Sequence, residues 1–186
     1  NYMDIPIQHA NDEVLKRMGR RTNKAEITAL IEKLRKEIPD IVIRTSLIAG
    51  FPGETDEQAE ELLEFVSEMN FDRLGVFTYS KEEGTPAARL SGQVDEEEKL
   101  RRQEAIMIEQ AAVSEELNRA KIGKTFEVLT EGYDAIIKMY FGRSYADSAE
   151  VDGKVFFKSK DKLNEGDFVD VLIEDAMEYD LYGKKI

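Results

Sequence analysis

From Ile41 to Thr55 the chain reads Ile-Val-Ile-Arg-Thr-Ser-Leu-Ile-Ala-Gly-Phe-Pro-Gly-Glu-Thr, a strand-length apolar run that breaks at a Gly-Phe-Pro-Gly turn just before a helix cap. No other stretch restricts the fold as much. An apolar run without alternation is the mark of a strand covered on both faces, which belongs in a parallel sheet wrapped by helices. Glycines at 50 and 53 allow backbone amides to approach a bound molecule, and the next helix presents free N–H groups at its start. Two readings of Gly50 to Thr55 stand side by side: an ordinary strand-to-helix turn capped by Thr55 or Asp56, or a ligand-facing turn at the rim of an α/β site.

The flanking segments extend this into a repeating unit. Residues 2 to 9 alternate and break at Pro6, as in a short strand ending at Gln8-His9. Asn11 or Asp12 can cap a short helix through Met18 with Val14, Leu15 and Met18 on one face. Asn23 and Glu26 stand at capping-box spacing before a longer helix, which carries Ile27, Leu30, Ile31 and Leu34 at the helical period and stops before Pro39. Asp56 to Met69 reads as a further helix with Ala59, Leu62, Leu63, Val66 and Met69 inward, and Leu74 to Phe77 as a third strand. Strand, helix, strand, helix, strand builds a parallel α/β sheet, and three strands are too few to close a barrel.

Asp95 to about Ile122 predicts a long charged helix, with Asp95-Glu96-Glu97-Glu98 at the favourable end of its dipole and Gly123 at its stop. Beyond it, Phe126 to Leu129, Ala135 to Phe141, Gly153 to Phe157 and Phe168 to Ile173 are short β segments separated by Gly and Asp/Asn turns. About five short strands in this span suggest a small barrel of the oligonucleotide-binding type. The fold class is α/β followed by all-β, with units at 1–122 and 123–186.

Composition removes several functions. The chain has no cysteine, so it can form no disulfide, thiolate zinc site, cysteine nucleophile or bound iron–sulfur cluster. His9 is the only histidine; it is read as satisfying local hydrogen bonds at a turn, with no acid–base role. No run approaches the roughly 18 to 20 apolar residues of a membrane span, and a cytoplasmic location is expected. Strand-like residues begin at once at Tyr2 without an initiating methionine, as in a segment continued from a larger fold. Basic residues number 26 against 39 acidic, a net charge of -13, and both halves are acidic. Such a surface repels phosphate backbones, so nucleic acid is not expected as the main substrate and a cationic protein is.

Three segments together resemble the radical S-adenosylmethionine (SAM) methylthiotransferase family: Tyr2-Met3-Asp4-Ile5-Pro6-Ile7-Gln8-His9-Ala10, Arg44 to Thr55, and Asp72 to Thr85 with Phe77, Tyr79 and Gly84-Thr85. Their wording is most similar to the branch that modifies an aspartate of ribosomal protein S twelve. Gly142-Arg143-Ser144 and Tyr179-Asp180-Leu181-Tyr182-Gly183 are similar to marks of the TRAM domain. The resemblance implies a carboxy-terminal piece of an enzyme, made of part of a radical SAM (β/α) barrel and an OB-like TRAM barrel. It implies SAM as cofactor together with two [4Fe-4S] clusters whose cysteine ligands lie upstream, so this segment would hold no metal, carry no catalytic residue and be inactive alone. In the whole enzyme a cluster would cleave SAM to a radical that takes hydrogen from the substrate carbon. Ribosomal protein S twelve would be the partner, and exposed strand edges would invite pairing with a second copy. Rival readings are a fragment of the sister enzyme acting on transfer RNA adenosine, and a TRAM module with no catalytic part.

The resemblance also points to the SAM contacts: Gln8, Arg44, Ile48, Gly50, Gly53, Glu54, Phe77 and Tyr79. Gln8 falls at a strand's carboxy end, the active face of a (β/α) barrel. Arg44 is a lone cation entering an apolar strand and should face a carboxylate, either an acidic residue of a neighbouring strand or that of SAM. Phe77 and Tyr79 lie two apart, which places them on one face as core residues or as packing beside adenine.

Overall fold

The computed structural model describes all 186 residues. Its helices begin where local side chains satisfy the first N–H groups. Asn11 caps α1 (Asp12–Arg17) by accepting from Glu13 and Val14, and Asn23 and Glu26 form the expected reciprocal box at α2 (Lys24–Glu37). Thr55 and Gln58 form a second box at α3 (Asp56–Met69), which stops at Asn70 in the left-handed conformation.

Strands β1 (Tyr2–Asp4), β2 (Val42–Ala49) and β3 (Arg73–Thr78) lie in that order in one sheet. Pairing of β2 with β3 is parallel from Arg44 opposite Arg73 to Ala49 opposite Thr78, and Gln8 adds a parallel bridge to Leu47 beyond the end of β1. Along β2 burial alternates, contrary to the reading of a strand covered on both faces: Ile43, Thr45, Leu47 and Ala49 are buried, whereas Arg44, Ser46 and Ile48 are half-buried. The buried residues join a core with Ile27 and Ile31 of α2, Leu62, Phe65 and Val66 of α3, and Ile106 of α4 (Glu96–Arg119). Helices cover one face of the sheet, and the other carries Arg44, Ser46 and Ile48 with an exposed Phe77 beside them. No helix is long and apolar enough to cross a membrane.

The chain divides into two compact units, Met3–Gln110, and Asn1–Tyr2 with Ala111–Ile186, the division falling inside α4. In the second unit β4 (Thr125–Asp134), β5 (Met139–Arg143), β6 (Val155–Lys158), β7 (Phe168–Ala176) and β8 (Leu181–Lys185) close a five-stranded barrel in the order β4-β5-β6-β8-β7. Its interior is Phe126, Val128, Val155, Phe157, Val169, Val171, Ile173 and Leu181. The second segment begins at Met139 rather than at Ala135. Asp134 accepts from the Ile136 and Ile137 N–H groups and winds that stretch into a turn, which leaves Ile136 92% exposed.

Burial separates the barrel's aromatics by their energetic weight. Phe157 is fully buried, so Phe157→Ala should cost about 3–5 kcal/mol. Phe168 is 64% exposed, and Phe168→Ala should stay within about 0.5 kcal/mol. Urea unfolding followed by tyrosine fluorescence should show a large midpoint shift for the first variant alone.

Candidate functional site

The turn after β2 is held by a carboxylate buried inside it. Glu54 Oε2 accepts from the Gly50 N–H at 3.0 Å and the Phe51 N–H at 3.2 Å, and lies 3.5 Å from His9 Nε2. Arg102 Nη1 reaches both Glu54 Oε1 (3.0 Å) and the Glu54 carbonyl (3.1 Å). Burial pushes the Glu54 pKa up, but the contacts with His9, the Gly50 N–H and Arg102 outweigh it and leave the group below its ordinary 4.5. His9 Nδ1 accepts from the Asn11 N–H at 2.9 Å, so the imidazole ties the end of the first strand segment to the cap of α1.

The turn's amides have partners within the chain. The Gly50 and Phe51 N–H groups serve Glu54, and the Gly53 N–H donates to the Gly92 carbonyl at 2.7 Å. The glycines are needed for another reason. Gly50 and Gly53 have φ of 73° and 79°, and a Cβ at either would overlap the Lys99 or the Arg17 side chain. Lys99 is itself buried, its ammonium bonded to the Tyr79 carbonyl at 3.0 Å and to Glu96 at 2.6 Å. Arg17 donates to the Gly53 carbonyl at 2.6 Å.

Others of the expected residues lie on the uncovered face of the sheet. Arg44, Ser46 and Ile48 of β2 sit opposite Arg73, Gly75 and Phe77 of β3. A Cβ built on Gly75 would stand 3.6 Å from the Phe77 ring and 3.9 Å from Arg44 Nη2, so ring and guanidinium flank a bare patch of backbone. Arg44 Nη1 donates to Asp4 at 2.7 Å, the acidic residue from a neighbouring strand being its partner within the chain. Gln8 holds a left-handed φ of 73°, which costs a long side chain about 1–3 kcal/mol. Its N–H and carbonyl bond to Ser46 and Ile48 of β2 and keep it there.

Tyr79 does not share the exposure of Phe77, although its N–H still donates to the Ala49 carbonyl at 2.9 Å. Its ring is buried with Val14 and Phe51 in a cluster that Ile48 also touches, and its hydroxyl has no hydrogen-bond partner. The expected residues therefore fall into an open group (Arg44, Ile48, Phe77), a strand-end residue bridged to Leu47 (Gln8) and a supporting group (Gly50, Gly53, Glu54, Tyr79). Sequence reading missed Gly75, Arg102 and Lys99. The reading of α4 rested on its charged start and its stop at Gly123, and an inward-facing cation on a charged helix leaves no such signal.

The barrel surface gathers lysines, with Asp161 among them, although its overall charge is acidic. Lys138, Lys158, Lys160 and Lys162 surround a hollow with Tyr133 and Tyr140, and Lys184 and Lys185 border the adjoining one. Lys184 pairs with Glu174 and Lys185 with Asp161. Strand pairing assembles this patch from three separate stretches, which a count along the chain cannot register.

Residues 1–66 match the radical SAM superfamily and residues 122–186 match the TRAM domain. The chain therefore carries a stretch that matches a radical SAM domain, followed by a TRAM domain. The protein named ribosomal protein uS12 methylthiotransferase RimO from Lachnoclostridium phytofermentans is 52% identical over 183 residues, 98% of this chain and 42% of that protein. The protein of the same name from Clostridium botulinum strain Hall is 52% identical over 182 residues, 98% of this chain and 40% of that one. This radical SAM–TRAM chain spans about two-fifths of the length of these relatives. Among solved structures, coproporphyrinogen III oxidase (HemN) from Escherichia coli, described as a radical SAM enzyme, aligns over 60% of this chain and 26% of its own with a TM-score of 0.49 and 28% identity.

The lowered pKa of Glu54 gives a signed expectation. A carboxylate held below 4.5 in the folded state contributes stability that is full above pH 4.5 and fades as pH falls through the folded value. Glu54→Gln should therefore lower the urea midpoint most at neutral pH, with the gap to wild type narrowing below pH 4.5. Gly50→Ala, strained in backbone and blocked by Lys99, should cost about 1–3 kcal/mol at any pH.

Proposed function

We propose that this chain is the carboxy-terminal part of a radical SAM enzyme that places a methylthio group on an aspartate of ribosomal protein uS12. The observation that carries the reaction is the 52% identity to proteins of that name across 98% of the chain. The functional division falls at 122/123: residues 1–122 supply one side of the SAM site, and the TRAM barrel, 123–186, docks the substrate in the cytoplasm. The edges of β1 and β3 are covered by the rest of the radical SAM barrel or by a second copy.

The open face suits SAM. Ile48 and Phe77, paired across β2 and β3, make an apolar platform for a purine. Arg44 offers its guanidinium to the amino-acid carboxylate in competition with Asp4, and the Gln8 amide lies at the strand ends, where the ribose and methionine portions can be bonded. Gly50, Gly53 and Glu54 shape the turn that ends β2, and Tyr79 backs Ile48. When bound, SAM supplies the methyl group and the hydrogen-abstracting chemistry of this class. The two [4Fe-4S] clusters do not fit here: a chain without cysteine offers no thiolate, so their ligands belong to the rest of the enzyme.

A second reading is favoured by the lysine–tyrosine hollow, which fits an RNA segment and so the sister reaction on transfer RNA adenosine. Binding assays separate the two. The uS12 reading expects the full-length protein to prefer the ribosomal protein, with affinity falling as salt rises. Tighter binding to transfer RNA, lost in Lys158→Ala/Lys160→Ala, would favour the second. For SAM, Arg44→Ala in the full-length protein should raise the dissociation constant about tenfold, the loss of one charged hydrogen bond. Equilibrium dialysis showing unchanged affinity would leave Arg44 as a strut for Asp4.

A further inference from the structure

Arg102 is a buried cation on α4, 7% exposed, whose hydrogen bonds converge on the turn that ends β2. Nη1 takes the Glu54 carboxylate and carbonyl, Nη2 takes Asp56 in the first turn of α3 at 2.7 Å, and Nε takes Glu98 on its own helix at 2.7 Å. Glu98 is thereby anchored too: its hydrogen bonds with Arg101 and Arg102 draw its pKa down to about 2. The planar fork of a guanidinium can hold these points at once; an ammonium cannot. From Glu54 the connection continues to the Gly50 and Phe51 N–H groups, two and three residues past Ile48. The end of β2 is therefore fixed by α4 through one carboxylate.

We propose that Arg102 is a positioning residue for SAM: it does not touch the ligand, but holds the end of β2 so that Ile48 stays beside Phe77 and the platform keeps its shape. This rests on the SAM reading of the open face. The rival is plain charge neutralisation. A buried ion pair is often replaceable by apolar or neutral groups with little loss of stability, whereas removal of one partner is strongly destabilising. The two roles therefore separate in a double variant.

The test uses the full-length protein with Arg102→Met, Arg102→Lys, Glu54→Gln/Arg102→Met, and Arg119→Met as a control at an exposed position of the same helix. Three quantities are read: melting temperature, SAM affinity by equilibrium dialysis, and hydrogen exchange at the Gly50 and Phe51 amides. Arg102→Met should lower the melting temperature, weaken SAM about tenfold and speed exchange at both amides. In the double variant the melting temperature should return towards wild type while the affinity stays about tenfold weaker and exchange stays fast. Arg102→Lys should keep most of the stability and still bind SAM more weakly, and Arg119→Met should match wild type throughout. Recovery of both stability and affinity in the double variant would overturn the proposal, as would wild-type affinity in Arg102→Met. If that variant does not fold, the lysine and double variants decide. If wild type itself fails to bind SAM, the functional reading falls, and the exchange rates still decide whether Arg102 fixes the turn.

Discussion

A carboxylate with 1% of its side chain exposed has to be bonded on every side, and Glu54 is. Two backbone N–H groups, an imidazole and a guanidinium close around it, so an ionised group becomes the centre of a turn. The end of β2, the cap of α1, the start of α3 and the first half of α4 all meet it directly or through one partner. Truncating this side chain would leave two buried N–H groups without their acceptor and take one carboxylate from a buried guanidinium. The position of β2, and with it of Arg44, Ser46 and Ile48, depends on that interaction.

The sheet's two faces divide the work between them. Large apolar side chains from α2, α3 and α4 fill one face, with Phe65, Leu62, Ile31 and Leu47 essentially without exposure. The other bears two arginines, a short hydroxyl, an isoleucine, a glycine and an exposed ring, a set that makes poor core and good ligand contact. The strained backbone of Gln8 beside this face fits the same division, since a left-handed glutamine persists only where neighbouring bonds over-determine it.

Local devices were legible from the residues alone. The box of Asn23 and Glu26 spans three residues, and α3 has the predicted bounds of Asp56 and Met69 because its stop and start signals lie next to it in the chain. The five-stranded barrel was legible as a count of short β segments, though Asp134 took the start of the second out of the strand by accepting from the Ile136 and Ile137 N–H groups. The site was legible in part. Arg44, Ile48 and Phe77 come together on one face with Gln8 at the strand end nearby, while Gly75 and Arg102 carried no signal, because a glycine matters only through what flanks it and a cation on a charged helix resembles any solvated one.

The sequence by itself determined where the chain bends and what each element is: caps, glycines and periodicity act within a few residues, and their free energies do not wait for distant partners. It also determined, by the lack of any thiol, that no cluster is ligated here. Tertiary structure alone decided what the turn's amides bond to, which face of β2 stays open, and that lysines from three stretches line two adjoining hollows. Those outcomes depend on pairs far apart in the chain, Arg102 with Glu54 and Lys138 with Lys160, whose distances exist only once α4 has packed against the sheet and the barrel has closed.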